Sequence, residues 1–408
     1  MNPVVYLTCE LKSRDFESRL LIAKCLLQSG FAVVVGQQWS MSTNAKTAMA
    51  GCYLFKTVNK IMAGYIAKSR SAGHLIVSTD EESLPFCGDG FLSNIDSGAI
   101  EMTDLFLALN EEQRHIMLRQ FPKLRVETTG NARVDLIATA RYQRPLSEPY
   151  ILFNTSFALT NSVRGSVEDA VEVLIRGGLD SKTQAGQQEL QMRLGFEQHT
   201  RQDMMALINW AAQSLPIKTV VRPHPAENNV MWTEVMPSKI KVVVGENPLP
   251  WISGAMLVVH ANSTTGLESA ILQRPCINLS PSEFDAWTKQ FVMRRVNRTV
   301  DSAQAAIALI ARFFENSETL APMFVKEQFP SHAADKIAQA VIELMRARGV
   351  EPTLNGNFPW QQLQRSNVQR AKFSASKDEF IAGMYNIAPD LAVRTIELDD
   401  SVVLMIPA

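Results

Sequence analysis

The chain has 408 residues, of which 46% are hydrophobic and 20% charged, with 40 Lys and Arg set against 41 Asp and Glu. That length exceeds one ordinary core and predicts two domains, while a net charge of −1 excludes a general affinity for nucleic acid or an anionic membrane surface. The five scattered cysteines form no metal-ligand pair, which points to a reduced, cytosolic protein, and no run approaches the ~18 consecutive apolar residues that span a bilayer. The first residues lack a basic region and pass straight into an apolar run, so no signal peptide is expected.

Strand and helix signals alternate along the chain, the pattern of α/β layers. Residues 4–8 read as a strand, and 14–29 as an amphipathic helix with Phe16, Leu20, Leu21, Ala23, Leu26 and Leu27 on its apolar face. Gly30 stops that helix as a C′ residue would, and 31–35 form the next strand. A helix around 57–69 leads into a strand over 74–78. After a polar stretch come a strand at 105–109 and a helix at 111–121. This is a Rossmann-like half.

Arg144-Pro145 and Glu148-Pro149 break regular structure and mark a linker over 142–149. The pattern restarts with a strand at 150–154, followed by a polar, Gln-rich stretch over 166–195 that reads as helices beside a cleft. A helix at 203–215 and strands at 217–221, 241–245, 255–260 and 276–279 follow, then helices at 301–315 and 333–348. The expected domains are therefore 1–145 and 146–350. Residues 351–408 are a less patterned extension, expected to pack back across the two.

Two short polar motifs each end an apolar strand: Val220-Val221-Arg222-Pro223-His224-Pro225-Ala226-Glu227-Asn228 and Val259-His260-Ala261-Asn262-Ser263-Thr264-Thr265-Gly266-Leu267-Glu268. In an open parallel sheet, ligands bind beyond the carboxyl ends of the strands. The second motif also opens a helix, whose free N–H groups favour an anion such as phosphate. The pair reads as a nucleotide-phosphate site. Arg222 can grip a phosphate bidentately and His224 can donate to it or move a proton. The alternative for Arg222 is a carboxylate bridge at a strand end. Asn262, Ser263, Thr264 and Thr265 can cap the helix and contact the ligand together, and Glu268, one turn in, can accept from a ribose diol or make a surface ion pair. Trp251, after Pro248-Leu249-Pro250, reads as packing rather than a base contact.

In the first half, Ser78-Thr79-Asp80-Glu81-Glu82-Ser83 follows a strand directly. Three adjacent carboxylates either sit in water or, on a ligand-facing loop, repel one another until one pKa rises and suits acid–base work. Glu10, Lys12 and Arg14 follow the first strand and are candidate sugar ligands, or merely ornament a helix start. Gly130-Asn131-Ala132-Arg133-Val134-Asp135 reads as a turn into a helix. No metal-ligand spacing, Walker loop, Gly-x-Gly-x-x-Gly or Gly-x-Ser-x-Gly elbow appears in the sequence.

Taken in order, Glu10-Leu11-Lys12-Ser13-Arg14-Asp15-Phe16, Thr79-Asp80-Glu81-Glu82-Ser83, Gly130 to Asp135, Tyr150-Ile151-Leu152-Phe153-Asn154-Thr155 and the two motifs above resemble the bacterial surface carbohydrate biosynthesis proteins, relatives of GT-B glycosyltransferases. The resemblance covers most of residues 4–345. Ser83 stands where the family usually has Gly, and Ala132 where it has Pro. The resemblance implies two Rossmann-like domains facing across a cleft, with the donor nucleotide held by the C-terminal one. It is also similar to the sialyl- and Kdo-transferases of capsule assembly, which use CMP-activated sugars. On that analogy Arg222, His224, Ser263 and Thr264 hold the phosphate, Glu82 or Glu81 is the base or nucleophile, and transfer needs no metal or cofactor. The partners implied are a nucleotide sugar and a glycan or lipid-linked glycan acceptor, in the cytoplasm or peripherally at the inner face of the inner membrane. A CDP-glycerol-type polyol-phosphate transferase, a sugar-nucleotide epimerase and a non-catalytic nucleotide-sugar-binding protein are the alternatives.

Overall fold

A computed structural model describes residues 4–176, 179–322, 330–349 and 358–408. The chain divides into two compact units, Met1–Thr139 together with Lys326–Ala408, and Ala140–Val325. Each is built on parallel strands with helices on both faces, so the architecture is two Rossmann-like units.

The first unit opens with six parallel strands: β1 (Val4–Cys9), β2 (Ala32–Gln37), β3 (Gly51–Phe55), β4 (Leu75–Thr79), β5 (Leu105–Ala108) and β6 (Val126–Thr128). β1 and β3 are buried along their whole length, because helices cover both faces and leave no wet side to demand polar alternation. The second unit carries β7 (Tyr150–Asn154), β8 (Lys218–Arg222), β9 (Lys241–Val242), β10 (Leu257–His260), β11 (Cys276–Leu279) and β12 (Arg298–Val300), in the order β12-β11-β10-β7-β8-β9, all parallel. Helices Gln184–Ser214 and Ala303–Phe314 pack on it through Phe196, Met204, Leu207, Ile208, Leu309 and Ile310. The expected helix at 203–215 is thus the last part of one 31-residue helix.

Two assignments differ from the sequence reading. Helix Ala333–Ala347, expected to close the second domain, belongs to the first unit. Its apolar face, with Ile337, Val341, Leu344 and Met345, shares a core with Leu20, Leu26 and Leu27 of helix Lys12–Gln28. The extension also joins the first unit. Residues 351–357 lie outside the described residues, but β13 (Val393–Asp399) and β14 (Val402–Pro407) add an antiparallel pair to the first sheet, β14 beside β2 with Met405 opposite Val33. The order of that sheet is β13-β14-β2-β1-β3-β4-β5-β6. Phe373, Phe380 and Met384 anchor the extension against Phe16.

Among the described residues, no helix is long and apolar enough to cross a membrane.

Candidate functional site

In the second unit four central strands end side by side on polar residues. The register sets Arg222 beside Asn154, Asn154 beside His260 and His260 beside Asn278. All four are buried. Asn278 exchanges hydrogen bonds with Asn262, accepting from its backbone N–H at 2.8 Å and donating to its Oδ1 at 3.1 Å. His260 accepts at Nδ1 from the Ser263 N–H (3.1 Å) and so donates from Nε2 to Asn297 Oδ1 (3.0 Å). Burial lowers the His260 pKa to about 4, which keeps the ring neutral. Neither amide atom of Asn154 meets a hydrogen-bond partner.

The Arg-Pro-His-Pro loop leaves the end of β8. Arg222 donates from Nε and Nη2 to the Glu246 carbonyl oxygen, at 3.1 and 2.7 Å. A backbone acceptor thus stands in place of the alternative carboxylate bridge for Arg222, and Nη1 is not used in that pair. Burial lowers the pKa of Arg222, while Glu268 and Glu246 oppose the shift. His224 is exposed and accepts at Nδ1 from the Ala226 N–H (3.1 Å), which assigns the proton of its neutral ring to Nε2. Desolvation, with Arg222 assisting and Glu227 opposing, lowers its pKa. Glu227 holds the loop in shape. Its buried carboxylate accepts from the His224 N–H (3.0 Å), Thr155 Oγ1 (2.6 Å) and Trp232 Nε1 (2.9 Å).

The second motif turns through Asn262, in the left-handed region at φ 45°, into helix Thr264–Ile271. Ser263 is its N-cap, with Oγ accepting from Thr265 Oγ1 (3.0 Å) and more loosely from the Thr265 N–H (3.4 Å). Thr264 is exposed at the helix start, whereas Thr265 and Glu268 are buried. Gly266 permits this arrangement, since a Cβ there would lie 2.1 Å from His260 Nε2. Asn297 bridges the two, accepting from His260 and donating to the Gly266 carbonyl at 3.1 Å. Trp251 is buried, edge-on to Tyr150, and donates to Glu246. Packing is indeed its role.

Sequence reasoning missed Glu197, on the long helix, which accepts from the backbone of Leu159 and Thr160 at 2.9 and 3.0 Å. Burial pushes its pKa up to about 7 against those donors, and Glu227 adds to the rise. Nothing in the local sequence marks it, because its partners lie nearly 40 residues away.

The first unit gathers charge at the same end of its sheet. The acidic loop is not a solvated turn. Asp80 is wholly buried, accepting from Thr57 Oγ1 (2.8 Å) and from Ser83 Oγ, and burial with Glu82 and Glu81 nearby raises its pKa to about 8. Ser83 thus serves as a partner for Asp80 at the position where the resembling family has Gly. Glu81 pairs with buried Arg19 at 2.7 Å. Glu82 keeps 37% of its side chain exposed and stands 3.6 Å from Lys56 Nζ and 3.8 Å from Arg14 Nη2. Glu10 meets Lys56 at 2.5 Å and Lys372 at 2.8 Å. Burial would raise its pKa, but these two ammonium groups hold it below the usual carboxylate range.

Glu10, Arg14, Glu81 and Glu82 are therefore brought together. Lys12 is not; it pairs with Glu379 on the exposed start of helix Lys377–Ile387. Arg19, Lys56 and Lys372 were missed. Arg19 sits between apolar positions of an amphipathic helix and Lys56 directly ends a strand, two visible signals, whereas Lys372 is 362 residues from its partner.

At the level of sequence, no protein-family model and no curated protein matches the chain. Solved structures do resemble it in fold. The UDP-GlcNAc 2-epimerase of Methanocaldococcus jannaschii superimposes with a TM-score of 0.55 at 10% identity, over 84% of this chain and 100% of that one. Another UDP-N-acetylglucosamine 2-epimerase gives 0.55 at 11% identity, over 88% and 100%. That of Neisseria meningitidis, bound to UDP-GlcNAc, gives 0.51 at 9%, over 84% and 100%. The chain has the two-unit fold of these sugar-nucleotide enzymes.

Proposed function

We propose that the protein is a sugar-nucleotide enzyme of the GT-B type, a glycosyltransferase that builds a bacterial surface glycan such as capsule or lipopolysaccharide. The observation that carries this reading is the row of buried polar strand ends beside a capped helix start in the second unit. Arg222, the Nε2–H of His224 and the start of helix Thr264–Ile271, with Asn262, Ser263, Thr264 and Thr265, form the phosphate cradle, and Glu268 is the ribose partner. In transfer, the bond from the anomeric carbon to the phosphate oxygen breaks and these groups stabilise the departing charge. Glu82 takes the proton from the acceptor hydroxyl, since Glu81 is committed to Arg19 while Glu82 remains half-exposed with longer ionic contacts. Glu10 and Arg14 support the sugar, without need of a metal.

Within this reading the donor is a CMP-activated ulosonic acid, Kdo or a nonulosonic acid, and the acceptor a glycan or lipid-linked glycan in the cytoplasm or at the inner face of the inner membrane. A second reading, sugar-nucleotide epimerisation, is favoured by the fold shared with the 2-epimerases. It would change the donor with no acceptor present.

The test is thermal stabilisation by CMP, CDP, UDP and GDP at matched concentrations, where a ligand at about 100 times its dissociation constant adds about 2.7 kcal/mol. CMP is expected to stabilise most, and Arg222→Ala and His224→Ala are expected to reduce that shift. Selective UDP binding with a change of sugar configuration would establish the epimerase instead. A CDP preference would point to polyol-phosphate transfer, and nucleotide binding without turnover of any donor to a non-catalytic protein. No response to any nucleotide would remove the site.

A further inference from the structure

Beside the phosphate cradle, the second unit has a cavity of about 690 Å³ that none of the roles above uses. It lies along β12, helix Ala303–Phe314 and the residue after β11. A volume of this size suits a small ligand, since pockets for such molecules run from roughly 300 to 1,000 Å³.

The lining is chemically selective. Three arginines line it, Arg294, Arg298 and Arg312, against one acidic residue, Asp301. Arg294 is paired with Asp285 and Arg312 stands 3.6 Å from Glu318, but Arg298 is exposed and has no ion pair among the described residues. Ser280 and Thr299 add small polar residues to the lining. Ala305, Ala308 and Leu309 supply an apolar wall against which the C–H face of a sugar ring can lie.

Asn297 joins this cavity to the cradle. It lines the cavity, accepts from His260 and donates to the Gly266 carbonyl at the first turn of the helix.

We propose that this cavity is a second ligand site that takes an acidic saccharide, a sugar carrying a carboxylate or a phosphate, gripped by Arg298 and Arg312. The site needs no nucleotide for its own binding, so its test stands apart from the function proposed above. An acidic sugar could reach it as part of a donor or as part of an acceptor glycan, and competition with nucleotide separates these sources.

The experiment is binding of glucuronate, glucose 6-phosphate and glucose to the full chain by calorimetry and ligand-observed NMR. The two anions are expected to bind and glucose to bind at least tenfold more weakly. Arg298→Ala and Ala308→Trp, both at exposed positions, are expected to weaken anion binding at least tenfold while leaving the melting temperature and the response to CMP unchanged. Persistence of anion binding under saturating CMP would assign an acceptor-side ligand, and its displacement a donor-side one. Equal binding of glucose would overturn the anion selectivity. Absence of binding to the unaltered chain, or loss on Arg222→Ala but not on Arg298→Ala, would overturn the site.

Discussion

The carboxyl ends of the two parallel sheets solve the same problem with opposite chemistry. In the first unit the strand ends carry charged Glu10 and Lys56, with Asp80 held largely protonated by burial, meshed with Arg14, Arg19, Glu81, Glu82 and Lys372. In the second they carry Asn278, neutral His260, Asn154 and one cation, Arg222, which is held by a carbonyl oxygen rather than a carboxylate. A charged network fixes ionisation states and suits proton transfer. A neutral cradle with surplus donors leaves room for charge that arrives with a ligand. The difference matches the proposed division, with chemistry in one unit and binding in the other.

The sharpest break in that comparison is Glu82→Gln. Removing a general base typically costs 10²- to 10⁴-fold in rate, and the exposed side chain leaves little else to lose. Transfer is expected to fall by at least about a hundredfold while nucleotide affinity holds, read from initial rates and a CMP titration. Equal loss of affinity would dissolve the division of labour between the units.

Next in size is Arg19→Met. It leaves the mostly buried Glu81 without its cation, and breaking a buried pair costs about 3–5 kcal/mol. Arg222→Met in the second unit gives up hydrogen bonds to a carbonyl oxygen and should cost nearer 1 kcal/mol. Urea unfolding of both variants measures the gap. Similar losses would mean that the charged network is no stiffer than the neutral cradle.

A subtler contrast is in pH. His260 titrates at about 4 when folded, below its unfolded value of about 6.5, so the unfolded chain takes up the proton first as the medium acidifies. Taken alone, that would cost the second unit about 3 kcal/mol between about pH 6.5 and about pH 4. Glu197, whose folded pKa of about 7 exceeds the unfolded value of about 4.3, works in the opposite sense over nearly the same range and offsets it. Asp80, in the first unit, has the same sense as Glu197. Its folded pKa of about 8 exceeds the unfolded value of about 3.9, so its contribution is complete below about pH 4 and is lost as pH rises toward 8. Peptide-resolved hydrogen exchange between about pH 4 and 8 should show the first unit losing stability as pH rises and the second nearly level. Asp80→Asn should flatten the trend of the first unit, and His260→Gln should leave the second unit with the Glu197 trend, a loss as pH rises. Equal drift of the two units in the unaltered protein would show that other groups govern them.

Much of the second unit was legible because its site is written locally. Arg222 to Glu227 and Asn262 to Glu268 are short motifs at the ends of apolar strands, and Cys276–Leu279 is a strand whose bounds periodicity alone supplies. The first-unit cluster is assembled from distant segments. Glu10, Lys56 and Lys372 meet only because β1 pairs with β3 and helix Asn367–Lys372 returns to the sheet. Periodicity also could not say which core helix Ala333–Ala347 would join, since an apolar face shows that a partner exists but not where it lies. Short strands such as β6, β12 and β13 were missed because three to seven residues, partly exposed, carry too weak a pattern.

The second unit is an insertion within the first, whose two segments are Met1–Thr139 and Lys326–Ala408. The order of synthesis therefore differs from the order of completion. Ala140–Val325 is contiguous and can fold as it leaves the ribosome, whereas the first sheet remains open at β2 until β14 has been made. Until then β2 presents an unpaired strand edge, the kind of surface that pairs with other chains. The nascent protein is most exposed to misassembly late in translation, at its amino-terminal half.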